Sequence, residues 1–143
     1  MSKPHFRAGV VTVVGRGDGC LLAFERVDRP GQWQLPQGGL GRGEEHLDAA
    51  WRELREETGL TPDEVRLVRE HEVLTVYELP VALQRSGRLG QVHRWYFFEV
   101  RHDEVEPRVD GREFANWRWM TVHDLVEQVV DFRRPSYRMV LGG

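Results

Sequence analysis

Cysteine is nearly absent. Only Cys20 occurs among the 143 residues, so no disulfide can close within the chain, and this usage fits a reducing cytosol. Its place in the apolar run CLLAF predicts a buried core thiol. Long apolar runs are missing as well. Val10 to Val14 is too short for a signal peptide and lacks a cleavage pattern, and nothing reaches membrane-spanning length. A cytoplasmic protein with no membrane partner is therefore expected. Basic excess is also lacking: 20 Lys and Arg face 23 Asp and Glu, a formal net charge of −3. No global positive field draws the chain onto DNA, so any nucleotide must be met by a local patch or a metal ion. The six histidines are scattered, with neither HExxH nor Cys/His zinc spacing, and read as surface or core residues.

What is present suits one globular domain over residues 1–143, with 40% apolar and 30% charged residues. Ala8 to Val14 is a continuous β-branched run, as in a strand buried on both faces. Gly15 to Gly19 makes a turn whose RGD tripeptide reads as a polar hairpin loop, and Leu21 to Glu25 returns as a second strand. Pro30 to Gly43 is rich in Gly and Pro, hence a loop. A helix follows from about Glu44 to Thr58, with Gly59 where a left-handed cap belongs. Val65 to Arg69, Val73 to Glu78, Gln91 to Val100 and Asn116 to Met120 read as strands. Thr121 caps a helix running to about Val130, and Pro135 opens a last short helical turn. Strands mixed with helices that cover them predict a single α/β unit.

The helix carries a conflict of charge. With Leu47 at zero and about 100° per residue, Ala50, Trp51, Leu54 and Thr58 fall on the Leu47 side and form the expected core face. Glu53, Glu56 and Glu57 project together on the far side, with His46 and the small Ala49. Glu53 and Glu57 repel at i,i+4, and they stand where the helix dipole disfavours anions. Arg52 can relieve Glu56 but not all three. Two explanations stay open at this point: a solvated acidic face, or a site for a hard cation such as Mg²⁺.

Gly38, five residues, Glu44, seven residues, then Arg52-Glu53-Leu54-Arg55-Glu56-Glu57-Thr58-Gly59-Leu60 fits every defined position of the pattern G-x5-E-x7-R-E-U-x-E-E-x-G-U, where U is bulky and aliphatic. The chain thereby resembles the Nudix hydrolases. That resemblance implies an α/β/α sandwich with a mixed β-sheet, and divalent Mg²⁺ or Mn²⁺ used to cleave phosphoanhydrides. It implies that Glu53, Glu56 and Glu57 ligate metal, one of them assisting the attacking water. Arg52 and Glu44 would brace these carboxylates, Gly39 and Gly59 would support the site, and a carbonyl around Gln37–Gly38 would complete the metal shell.

Further segments resemble the bacterial RNA 5′-pyrophosphohydrolase and dinucleoside-polyphosphate hydrolase branch: WQLPQGG (33–39), YELP (77–80), GQVHRWYFF (90–98), EFANWRWM (113–120) and VVDFRRPSYR (129–138). By that likeness Glu113 is a further metal ligand or base, Tyr77 and Phe132 flank a nucleobase, and Arg133 or Arg94 meets phosphate. Arg94 stands where the branch has Lys, keeping phosphate affinity while losing the compact point charge. On residue chemistry alone, Phe132 also fits a core position and Arg133 a solvated charge. The polar loop Gln84 to Gly90 has no assigned role.

The implied reaction is hydrolysis of a nucleotide polyphosphate, either a dinucleoside polyphosphate or a 5′-triphosphorylated RNA. A nucleoside triphosphate or nucleotide-sugar pyrophosphatase is the alternative, since substrate choice lies outside the glutamate pattern. A catalytically silent nucleotide-binding module is the third. It has no need for an intact set of metal carboxylates.

Overall fold

The β-branched run at the start of the chain sets the architecture. In the computed structural model, which describes residues 3–142, it forms β1 (His5–Gly15) at the centre of a mixed sheet. The other strands are β2 (Leu21–Arg26), β3 (Trp33–Gln34), β4 (Gln37–Gly39), β5 (Val65–Glu70), β6 (Thr75–Glu78), β7 (Arg88–Val100) and β8 (Phe114–Met120). The order is β3-β2-β1-β7-β5, with β4 on β1, β6 on β7 and β8 on β2. Only β1 and β7 run parallel among these pairs. Alternation along β1 sends Val10 and Val14 to one face and Val11 and Val13 to the other, and both faces are buried. Helix α1 (His46–Thr58) covers the first face through Ala50 and Leu54. Helices α2 (Val122–Gln128) and α3 (Arg134–Leu141) cover the second through Leu125 and Tyr137. The result is the α/β/α sandwich with a mixed sheet.

Several boundaries differ from the sequence expectation. The Gly- and Pro-rich stretch 30–43 is not simply a loop. Trp33–Gln34 pairs with β2, and Gln37–Gly39 pairs with β1 through Gly9↔Gly39, Val10↔Gly38 and Val11↔Gln37. Backbone pairing there tolerates glycine because the lack of a side chain admits close approach. The strand expected from Val73 begins at Thr75, and α2 ends at Gln128. The final turn is longer than expected: a 3₁₀ turn, Asp131–Arg133, leads into the eight residues of α3. Cys20 is half-buried rather than a core thiol, because it sits in the turn just before β2. Two expected caps are in place. Thr121 accepts from the Asp124 amide at 3.1 Å, and Gly59 adopts φ 72° while its N–H reaches Arg55 O at 2.9 Å.

The largest departure concerns α1. Leu47, placed at the middle of the core face, is 37% exposed, whereas Ala49 is fully buried. Glu53 and Glu57 are each only 9% exposed. The helix is flanked by β4 as well as lying on the sheet, so its buried arc is wider than one stripe and takes in part of the acidic face. Neither the solvated-face picture nor a clean separation of core and acid survives.

The 33–39 segment is pinned from the opposite layer. Tyr137 on α3 accepts a hydrogen bond from the Leu35 amide at 2.9 Å, and both residues are buried. Tyr137→Phe should lower unfolding stability by about 1–3 kcal/mol, since it strands a buried N–H. Urea unfolding checks this; an unchanged midpoint would mean the bond contributes nothing.

Candidate functional site

The site begins with Arg52, whose fork is almost fully engaged. Its Nε and Nη2 donate to the two carboxylate oxygens of Glu44 at 2.8 and 2.9 Å. Nη1 donates to Glu53 at 2.8 Å and to Glu56 at 3.2 Å, and Nη2 also donates to Gly39 O at 3.0 Å. Glu44 is held further by the Gly41 amide at 2.7 Å. The guanidinium, and then that amide, bring the Glu44 carboxyl down to about 2. One arginine thus ties the start of the 38–60 segment to the middle of its helix. Glu56 remains 53% exposed on the solvent side of this network.

Behind Arg52, three carboxyls crowd together. Glu53 lies against Gly38, where even a β-carbon would overlap its carboxyl group. Glu57 is pushed well above the usual carboxylate range by burial first, then by the charges of Glu113 and Glu53. Its Oε2 is buried with no hydrogen-bond partner. Glu113 enters from the turn before β8, where the Asp110 carboxylate receives the Arg112 and Glu113 amides at 2.8 and 3.4 Å. Glu113 is exposed as a residue, yet its carboxyl is also raised, chiefly by desolvation. Among the described residues no ready cage of three ligands is assembled, because Arg52 holds Glu53 and Glu56. An orphaned buried carboxylate oxygen beside two further acids is nevertheless the donor set that suits a divalent cation.

Next to these acids opens a cavity of about 170 Å³ lined by Arg7, Gln34, Gln37, His93, Glu113 and Arg133, among others. Arg7 packs its guanidinium over Gly39. The Tyr77 hydroxyl reaches Gln91 and accepts from Arg133 Nε at 3.3 Å. A second cavity of about 180 Å³ lies beyond, sharing Arg26 and Arg133 and bounded by Phe132 and Leu83.

The sequence-predicted substrate residues divide. Arg133 is not a solvated charge: it lines both cavities and donates to Gln34 at 2.8 Å. Phe132 is half-buried at the second cavity, outside both core clusters. Tyr77 and Phe132 do meet, but their ring centroids are 5.6 Å apart at 47°. A base sandwiched between two rings needs roughly twice 3.5 Å, so the rings leave no slot between them as they stand. Arg94 is not brought to the cavity. Gln91 and His93 face it, and strand alternation turns Arg94 to the other face, where it pairs with Glu70 at 3.2 Å. Sequence patterns missed Arg7, Arg26, Gln34, Gln91 and His93. Of these, Gln34 and the Gln91–His93 pair lie inside segments already singled out for likeness, whereas Arg7 and Arg26 carry no local signal.

The NUDIX domain family matches residues 3–140. Nudix hydrolase 25 of Arabidopsis thaliana is 36% identical over 151 residues, spanning 96% of this chain and 85% of that protein. An RNA pyrophosphohydrolase of Roseobacter denitrificans is 37% identical over 93% of this chain and 86% of its own length. In fold, the chain is similar to the E. coli dihydroneopterin triphosphate pyrophosphohydrolase, with a TM-score of 0.79 at 18% identity, over 96% of this chain and 99% of that one.

His93 supplies a pH signature. It is 3% exposed and drops to about 3, through burial first and then the charges of Arg133 and Arg7. The folded protein keeps it neutral, while the unfolded chain protonates it near 6.5. Its contribution to stability is therefore complete above about pH 6.5 and is lost as pH falls toward 3. Denaturant titrations of His93→Gln should show a shallower loss than wild type between about pH 6.5 and about pH 4; identical slopes would contradict this assignment.

Proposed function

This chain belongs to the Nudix family and is a hydrolase of phosphoanhydride bonds, and from that membership we propose that it acts on the 5′-triphosphate end of RNA or on dinucleoside polyphosphates. Names of relatives favour RNA, since several that are 35–39% identical are RNA pyrophosphohydrolases. The observation that carries the proposal is a cavity lined by Arg7, Arg26 and Arg133 whose one carboxyl, Glu113, borders the buried Glu57 and whose Gly38 packs on Glu53. A chain of linked phosphates needs both: cations to receive its charge, and a place for the divalent metal that Nudix enzymes generally use.

Glu53, Glu57 and Glu113 would hold that cation, with Glu56 reaching in from the solvent side and the Gly38 carbonyl completing the set. Mg²⁺ or Mn²⁺ bound there supplies charge neutralisation for the phosphates and activation of the attacking water. The protein's own groups do the rest. Arg52, locked to Glu44, sets the rotamers of Glu53 and Glu56. Arg7, Arg26 and Arg133 receive phosphate oxygens. One of the desolvated carboxyls takes the proton of the attacking water as its oxygen bonds to phosphorus and the anhydride P–O bond breaks. Triphosphorylated RNA then yields 5′-monophosphate RNA with pyrophosphate, or with successive phosphates. Phe132 bounds the second cavity beyond the phosphates, where a base would be received, and Tyr77 packs behind it.

Incubation with triphosphorylated RNA, diadenosine tetraphosphate and a panel of nucleoside triphosphates in ¹⁸O-water should give Mg²⁺- or Mn²⁺-dependent products, with label on the attacked phosphorus. Glu57→Gln should lower turnover by about 100-fold or more, while folding is retained because the neutral amide fills the same buried volume. Activity undiminished in saturating Mg²⁺ would remove Glu57 from the chemistry.

A further inference from the structure

Two arginines line the neck where the cavities meet, and their separate side chains have no reason of their own to stay together. Arg26 is on β2, and Arg133 comes from the turn between α2 and α3, near the other end of the chain. Like charges side by side repel, and each long side chain loses rotamer freedom on being fixed. One buried group joins them. Gln34, 3% exposed, accepts from Arg26 Nη1 at 3.2 Å and from Arg133 Nη1 at 2.8 Å on the same Oε1. Its amide is oriented by Nε2, which donates to Leu35 O at 3.2 Å, leaving the oxygen to face the cations. The far sides are tethered too. Arg26 Nε and Nη2 reach Asp28 at 2.8 and 2.9 Å, and Arg133 Nε reaches the Tyr77 hydroxyl at 3.3 Å. Arg133 Nη2 has no hydrogen-bond acceptor among the described residues, so donors remain for a ligand.

We propose that Gln34 is a positioning residue that gathers Arg26 and Arg133 into a two-guanidinium clamp for a substrate phosphate at the junction of the two cavities. The choice of a neutral amide is the informative detail. A carboxylate there would bind both arginines more strongly, but it would cancel the positive charge the phosphate needs. A leucine of similar size would remove the one acceptor the two guanidiniums share, leaving Arg26 on Asp28 and Arg133 on Tyr77 free to separate. Asp28 already pairs with Arg26, and glutamine joins the two guanidiniums without adding a second carboxylate, so Arg133 keeps its charge for the phosphate. This clamp rests on the polyphosphate assignment above, and its test separates the two.

Two variants of similar side-chain size, Gln34→Leu and Gln34→Glu, are compared with wild type for kinetics on triphosphorylated RNA and, by calorimetry, for binding of inorganic tripolyphosphate. Loss of a charge-assisted hydrogen bond corresponds to roughly a tenfold change in affinity or more. Both variants should raise KM and weaken tripolyphosphate binding by about that factor, with kcat within about threefold. The effect of Gln34→Leu should vanish when Arg26 and Arg133 are both replaced by Met, because nothing remains to be gathered. A Gln34→Leu variant that is folded and binds tripolyphosphate like wild type overturns the proposal, as does loss of kcat without a change in KM. Weakening by Gln34→Glu alone also overturns it, since added negative charge then explains everything. If wild type binds tripolyphosphate but does not turn over the RNA, the substrate assignment fails while the calorimetric arm still decides the clamp.

Discussion

The Arg52–Glu44 ion pair sits where two demands meet, and much of the site follows from how it reconciles them. Carboxylates must stand close together near the sheet, yet each buried charge raises the cost of the next. Arg52 takes both oxygens of Glu44, one of Glu53 and one of Glu56, so a single guanidinium holds the turn before α1 to the helix itself. It does not reach Glu57, which is left desolvated against Glu113 and Glu53. That residual conflict is what the proposed cation would relieve.

Backbone economy serves the same end. Gly38 lets β4 approach so closely that the Glu53 carboxyl occupies the space of a side chain, and Gly39 does the same for Arg7. Two adjacent glycines therefore admit an anion and a cation to neighbouring positions on one short strand. The opposite layer fixes this strand's approach through Tyr137 and Leu35. The cavity is consequently polar by construction, with Glu113 in its wall and arginines drawn from β1, β2 and the turn before α3.

Much of the fold was legible because it rests on local rules. The β-branched run of β1, the Gly59 cap, the Thr121 cap and the order of strands and helices all follow from short-range chemistry. Errors arose where tertiary packing overrides periodicity. Leu47 lies at the edge of the buried face of α1, while Ala49 packs in the core, Glu53 is covered by Gly38 of β4 and Glu57 is buried beside Glu113. The likeness of GQVHRWYFF to a branch motif brought Arg94 forward as a phosphate group, but strand alternation faces it toward Glu70 instead.

By itself the sequence determined the kind of chemistry through its resemblance to the Nudix pattern from Gly38 to Leu60, while helix geometry alone brings the glutamates to one side. Only the tertiary structure decided which groups share the site. Arg7, Arg26 and Gln34 come from separate strands, and no local periodicity relates them to α1, while Glu113 was legible only through the likeness of its segment to a family branch. Their meeting depends on sheet order and on the register of β4 against β1, and on which way each strand residue faces. Those are long-range properties, set by packing and pairing across the whole chain rather than by any one segment.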